Sequence, residues 1–313
     1  MKSSDDSAVA EMGAALRIVC GPTGAGKSAL ALALAEAHGL TILVADSRQV
    51  YRGFDIGTAK PAAAERVRVP HAGLDLADPV ERYSAAAWAA YATSVIEREG
   101  TGRVLVVGGT GLYLRALVQP LFEEPPLDTA RRAALASELD ALDTDTLRRW
   151  VLRLDATRAA LGRTQLLRAL EVALLTGRRI SDLHRESAPT PRWHARWLVV
   201  DPREALHERI EYRLDAMLAG GWLEEVQALA RVVPPEAPAW KACGYAVLRV
   251  LAGGVGNLTD ARRDILVSTR QYAKRQRTWF RHQLEGEAVT EIDPRSVDAA
   301  AGADRWWQGG SEA

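Results

Sequence analysis

Apolar and polar positions fall in blocks along this chain. The run "LRIVC" (16–20) reads as a short buried strand, and the alanine–leucine run over 27–38 reads as a helix. "TILVADS" (41–47) is a second apolar run that ends in polar residues, so it predicts a strand delivering Asp46 at its carboxyl end. "YSAAAWAAYATSVIEREG" (83–100) reads as a helix closed by Gly100, and "RVLVVGGTG" (103–111) as a third, valine-rich strand followed by glycines. Strands alternating with helices predict an α/β fold: a parallel sheet covered by helices. Ligands of such sheets sit beyond the carboxyl ends of the strands, where Gly24, Asp46 and Thr110 would lie.

The pattern changes at "QPLFEEPPLD" (119–128), whose prolines mark a boundary. From Asp128 to about Glu186 the chain is helical and arginine-rich, without a strand signal. "APTPRWH" (188–194) marks a second boundary and "RWLVVD" (196–201) resumes as a strand. This arrangement predicts a helical insertion over 121–191 within an α/β core formed by 14–120 and 192–284. Amphipathic helices are expected at 203–219, 222–231 and about 259–284, followed by a loosely structured tail over 285–313. Residues 1–13 are polar and acidic, unlike a secretory or transit peptide, and read as a disordered leader of a cytoplasmic protein.

Composition adds little until its distribution is considered. Lys+Arg and Asp+Glu are each 40 among 313 residues, so net charge indicates no partner. Between Arg262 and Glu285, however, seven basic residues face two acidic ones. The two cysteines, Cys20 and Cys243, form no C-x-x-C pair, which argues against a zinc site and a disulfide framework. No run of about 18 apolar residues occurs, so no membrane span is expected.

The chemistry begins at "GPTGAGKS" (21–28), which matches G-x-x-x-x-G-K-S/T at Gly21, Gly26, Lys27 and Ser28. It follows a strand and opens a helix, the context in which glycines let successive backbone N–H groups converge on phosphate oxygens. Lys27 supplies a mobile cation, and the Ser28 hydroxyl is placed to bind Mg²⁺. A hydrolytic member of this loop class usually has a further strand ending in an aspartate that holds the metal's waters. Here the third strand ends in glycines and Thr110, and Asp46 is the carboxylate well placed after a core strand. It would serve as a metal ligand or address a second substrate, so a small-molecule kinase remains open on motif grounds.

Seven stretches resemble, in order, the tRNA dimethylallyltransferase family: "GPTGAGKSALALALA", "VADSRQVYRGFDIGTAKP", "PHAGLDLADPVERYSAAAW", "VLVVGGTGLYLRAL", "RALEVALLTGR", "RIEYRLDAMLAGGWLEEV" and "TRQYAKRQRTWFRH". The resemblance runs from about Leu16 to His282, and "DSRQVYRGFDIGTAKP" is its most specific part. It implies transfer of a dimethylallyl group from dimethylallyl diphosphate to N6 of the adenosine 3′ to the anticodon, with pyrophosphate leaving. It also implies Mg²⁺ and a monomer.

The same resemblance assigns residues. Asp46 would accept an N6 proton as the bond forms, since an exocyclic adenine amine is a poor nucleophile. Thr110 would donate to the bridging oxygen of the leaving diphosphate, or cap the next helix, or do both. Gly21, Pro22, Thr23, Gly24, Ala25, Gly26, Lys27 and Ser28 would cradle the diphosphate. Arg213 either reaches it too or pairs at the surface with Glu211 or Asp215. Asp46, Ser47, Arg48 and Gln49 would read the adenosine, flipped out of its stack into a pocket. Gln165, Arg168, Cys243, Gly244, Tyr245, Lys274, Arg275 and Gln276 would contact the tRNA anticodon stem-loop. Tyr272, Trp279 and Phe280 point inward or stack on bases.

Two departures stand out. The loop has Gly24-Ala25 and Ser28 where the family commonly shows Ala-Ser and Thr. Gln165 stands where an arginine is usual, which puts RNA contacts from that segment in question. The competing expectations are prenyl transfer to a free adenine nucleotide, a metabolite kinase, and a non-catalytic RNA-binding protein.

Overall fold

The core is a six-stranded sheet in which every neighbouring pair is parallel, in the order β3-β2-β4-β1-β5-β6. The strands are β1 (Leu16–Cys20), β2 (Thr41–Ala45), β3 (His71–Ala72), β4 (Val104–Gly108), β5 (Ala195–Val200) and β6 (Ala288–Ile292). This arrangement comes from a computed structural model that describes residues 15–119, 127–186 and 191–309. The expected leader lies outside the described residues.

The chain forms two units, Met1–Val118 with Arg192–Ala313, and Gln119–Pro191. In the first, α1 (Lys27–His38), α2 (Ala63–Arg68), α3 (Ala85–Glu99) and α4 (Gly111–Val118) connect the early strands. In the second, α5 (Thr129–Asp140), α6 (Thr144–Leu154), α7 (Arg163–Thr176) and α8 (Ile180–Glu186) enclose their own core of Leu147, Val151, Leu166, Leu170 and Leu183. The first unit resumes with β5, α9 (Leu206–Ala219), α10 (Trp222–Ala230), α11 (Tyr245–Ala252), α12 (Leu258–Gln283), β6 and α13 (Ala299–Gln308). Among the described residues, no helix is long and apolar enough to cross a membrane.

The central strands are buried on both faces, as their continuous apolar runs require: Ile18, Val19, Leu43, Leu105, Val106 and Leu198 are inaccessible to solvent. α3 begins where Ser84 accepts the Ala87 N–H at 3.0 Å and ends at Gly100, whose φ is 86°. Its Trp88 reaches under the sheet and donates to the Val44 carbonyl at 3.0 Å.

The tail corrects the sequence reading. Residues 288–292 add a sixth parallel strand beside β5, and α13 buries Trp306 and Trp307. Asp304 accepts or shares a proton with His38 at 2.6 Å, and the Trp307 ring lies 5.7 Å from the His38 ring, so α13 grips the far end of α1. The strand was hidden because its side chains are mostly exposed at the sheet edge and show no apolar run. The helix was hidden by its small, alanine- and glycine-rich first turns.

Candidate active site

The loop between β1 and α1 is shaped by close approaches. A Cβ at Gly21 would stand 2.2 Å from the Val200 carbonyl oxygen, and one at Gly26 would stand 2.8 Å from Arg209 Nη2, with φ at 99°. Gly26 is thus the left-handed residue from which α1 starts, leaving the helix's first N–H groups open to an anion. The Ser28 hydroxyl lies exposed in that first turn. Lys27 Nζ donates to the Pro22 carbonyl at 2.8 Å. Burial lowers its pKa to about 8; Arg213 adds to the shift, and Asp46 and Cys20 oppose it.

Two arginines one turn apart on α9 approach the loop. Arg209 Nε donates to the Gly24 carbonyl at 3.1 Å, and Arg213 Nη1 donates to Thr23 Oγ1 at 3.3 Å. Burial lowers the pKa of Arg213, with Asp46 and Cys243 pulling the other way. Glu211 and Asp215, the surface partners open to Arg213 from sequence, are instead held by Arg262 at 2.9 and 2.6 Å.

Asp46 and Thr110 emerge side by side from neighbouring strands. Ala45 pairs with Gly108, and continuing that register by two places sets Ser47 abreast of Thr110. Asp46 Oδ1 accepts the Arg48 N–H at 2.8 Å and the Gln49 N–H at 3.4 Å, while no hydrogen bond to Oδ2 forms among the described residues. Thr110 Oγ1 accepts the Ser47 N–H at 3.0 Å and also hydrogen-bonds the Tyr272 phenol. Burial, then Asp46, pushes that phenol up to about 12, so Tyr272 is neutral beside the carboxylate. The Gln49 amide nitrogen donates to the Thr58 and Ala59 carbonyls at 2.9 and 3.2 Å, which aims the side chain and leaves Oε1 for a ligand.

The phosphate loop, Asp46, Gln49, Arg209, Arg213 and Tyr272 line one cleft of about 810 Å³, which the turn before Thr110 reaches through Gly109. An adjoining recess of about 80 Å³ shares Thr23, Asp46, Arg213 and Tyr272 with it and continues between the apolar side chains of Ile210, Leu214, Met217 and Ile265. Phosphate donors, a carboxylate and an apolar recess therefore meet in one place.

Comparison with known proteins identifies the family. The IPP transferase family model matches residues 49–283, and the isopentenyl transferase model matches 14–75. The chain belongs to the IPP transferase family. The tRNA dimethylallyltransferase of Anaeromyxobacter sp. (strain K) is 42% identical over 299 residues, covering 90% of this chain and 98% of the relative. That of Halorhodospira halophila is 44% identical over 294 residues, covering 90% and 94%. Among solved structures, the tRNA isopentenylpyrophosphate transferase of Bacillus halodurans superposes with a TM-score of 0.67 at 29% identity, covering 94% of each chain. A eukaryotic dimethylallyltransferase acting on tRNA reaches 0.77 at 26% identity, covering 93% of this chain and 77% of its own.

Within this IPP transferase, the residues expected to contact RNA divide. Lys274 and Arg275 are exposed on α12, with the Arg275 guanidinium 5.9 Å from the Tyr272 ring centre. Gln165 is exposed near the start of α7, while Arg168 is paired with Glu171 at 2.8 Å. Cys243 lines the small recess, its Sγ 3.3 Å from Thr269 Oγ1. Three of these residues are held by packing or hydrogen bonds within the protein. Tyr245 is buried, donating to Glu225 at 2.6 Å and accepting the Gly57 N–H at 3.1 Å, so it holds the 55–60 loop. Gly244 is the left-handed residue opening α11, where a Cβ would strike Trp222 at 2.3 Å. Gln276 is 7% exposed, in the wall of the cleft, with its amide bonded to the Thr23 N–H and the Gly109 carbonyl. Sequence reasoning missed Arg209, although its i, i+4 spacing from Arg213 was visible in "RIEYRL", and it left Tyr272 without a place in the cleft.

Proposed function

We propose that this enzyme transfers the dimethylallyl group of dimethylallyl diphosphate to N6 of the adenosine 3′ to the anticodon in tRNA, releasing pyrophosphate. The observation that carries the reading is Asp46 in the same cleft as the phosphate loop, with Thr110 delivered next to it by the adjacent parallel strand and bonded to the Ser47 N–H. The amine needs a base and the leaving group needs donors, and both lie within one cavity. Asp46 is oriented through Oδ1, so Oδ2 faces the N6 proton. Gln49 Oε1 accepts a hydrogen bond from the N6–H that is retained and fixes the flipped base. The Thr110 hydroxyl donates to the bridging oxygen as the C–O bond breaks. Lys27 leaves the Pro22 carbonyl for the diphosphate, and Arg213 and Arg209 meet it from α9. Water must be kept out, because an allylic cation would be hydrolysed.

Mg²⁺ fits this donor set. Among the described residues no cluster of three or more His, Cys, Asp or Glu would hold a metal alone. A single exposed hydroxyl, Ser28, beside a diphosphate suits an ion that keeps most of its waters. Mg²⁺ bound there neutralises charge on the leaving group.

Lys274 and Arg275 meet tRNA phosphates on the outer face of α12, and Gln165 of the helical insertion is a separate tRNA contact. On this reading the enzyme acts as a monomer in the cytoplasm. The test is to incubate the protein with labelled dimethylallyl diphosphate and, separately, unmodified tRNA, AMP or ATP. Label at the adenosine 3′ to the anticodon, with stoichiometric pyrophosphate, is expected. Label in AMP, or inorganic phosphate from ATP coupled to product, would overturn the reading.

A further inference from the structure

Gln276 is a polar side chain in a helix face that is otherwise core. Its neighbours on that face, Ala273 and Phe280, are buried, and Gln276 itself is 7% exposed. Both ends of its amide are engaged, each with the backbone of a different loop. Its Oε1 accepts the Thr23 N–H at 2.8 Å, and its Nε2 donates to the Gly109 carbonyl at 2.7 Å. Thr23 belongs to the phosphate loop; Gly109 directly precedes Thr110. The two loops crowd onto this side chain. A Cβ at Gly109 would lie 2.5 Å from Gln276 Nε2 and 3.3 Å from the Gly21 carbonyl oxygen, so only glycine admits the contact.

A planar amide that binds one N–H and one C=O on two separate loops sets the distance between them. Removing it leaves the Thr23 N–H and the buried Gly109 carbonyl without this partner, and each loop then relaxes independently. We infer that Gln276 is a positioning residue that fixes the separation between the phosphate loop at Thr23 and the Gly109–Thr110 turn. This rests on the function proposed above, in which the phosphate loop and the Thr110 hydroxyl must act on one diphosphate at the same moment. Gln276 lies in the wall of the cleft with both ends of its amide held by backbone, so it acts through those groups.

The test is Gln276→Leu in the full chain, read by single-turnover transfer from labelled dimethylallyl diphosphate to unmodified tRNA. A misplacement of about 1 Å lowers such rates by about 10²-fold, so a loss of about 10- to 100-fold is expected, with tRNA affinity and its salt dependence unchanged. Because the residue acts through Thr110, the losses must not multiply. In a Thr110→Ala background, Gln276→Leu should cost less than about threefold more. A folded Gln276→Leu protein with the wild-type rate overturns the inference. So does lost tRNA affinity with a wild-type rate at saturating tRNA, which would make Gln276 an RNA contact. Full multiplication of the two losses overturns it as well, as the mark of general loosening. If thermal melting shows Gln276→Leu unfolded, Gln276→Glu keeps the shape and the oxygen facing Thr23 while removing the donor to Gly109. It should show the same rate loss, and a wild-type rate there rejects the bridge. Should wild-type protein transfer no label at all, the functional reading falls. The bridge is then judged on pyrophosphate affinity and on hydrogen exchange of the Thr23 amide, which Gln276→Leu must weaken and speed up respectively; no change in either rejects it.

Discussion

Ser47 donates its backbone N–H to the Thr110 hydroxyl at 3.0 Å, joining two positions 63 residues apart in the chain. The bond follows from the β2–β4 register, and it orients a hydroxyl whose task is to meet a developing anion. Thr110→Ala should therefore lower the transfer rate by about 10²-fold while weakening diphosphate binding much less. Thr110→Ser should recover most of the rate. Single-turnover kinetics beside equilibrium binding of pyrophosphate checks both, and equal losses in rate and binding would sink the idea.

Asp46 has one carboxylate oxygen tied to its own turn and one turned to the cleft. Asp46→Asn keeps the shape and the turn but cannot take a proton. Turnover should fall by about 10²–10⁴-fold, with both substrates still bound. An unchanged single-turnover rate rules the role out. Collapse of Mg²⁺-dependent diphosphate binding would make Asp46 a metal ligand.

Lys27 is held at about 8, below the ordinary 10.5, chiefly by burial. It is charged below that pH and neutral above it, so pyrophosphate affinity should fall as pH rises through about 8, by up to about tenfold per pH unit. The sign for folding is the opposite. Between about 8 and 10.5 the unfolded chain binds more protons at this group, so its contribution to stability rises with pH. Calorimetry of pyrophosphate binding across this range, set against Lys27→Met, isolates the effect; identical pH slopes in the two proteins contradict it.

Lys274 and Arg275 are exposed on the outer face of α12. Replacing both with alanine should weaken tRNA binding and reduce its salt slope by about one unit per lost phosphate contact. Dimethylallyl diphosphate affinity should stay constant. Filter binding across a salt series reads the outcome, and an unaltered slope means this face meets only solvent.

Trp307 is buried under the Arg17 guanidinium, which lies 4.5 Å from its ring centre, and beside His38. Trp307→Ala should cost about 3 kcal/mol of stability, measured by denaturant unfolding. A loss within about 0.5 kcal/mol, the range of an ordinary surface change, would show that α13 is not part of the core.

The sequence made the sheet's central strands, the phosphate loop, the helical insertion and the places of Asp46 and Thr110 legible. Each is either a continuous apolar run or a motif with one geometric solution, and Gly21 and Gly26 leave the loop little choice. The failures share a cause: a helix presents two faces, and a motif match does not say which residues lie on which. Tyr245 and Gln276 sit inside "CGYAV" and "AKRQRT", next to residues that are exposed or line the cleft, and only packing separates them. Arg213 belongs with them: the sequence leaves Glu211 and Asp215 open as its partners, and in the structure Arg262 occupies both. The edge strand at 288–292 carries its information in backbone pairing with β5, which no side-chain pattern records.

The grip of α13 on α1 also matters to anyone handling this protein. α1 begins at the phosphate loop and ends at His38, where Asp304 and Trp307 hold it. A label placed on α13 is thus attached to the brace of the helix that presents the diphosphate site. A shortened expression version ending before Ala299 would free the far end of that helix. Labelling or trimming α13 would act on the diphosphate site through α1, so a kinetic comparison between preparations is sound only when both keep α13 unaltered.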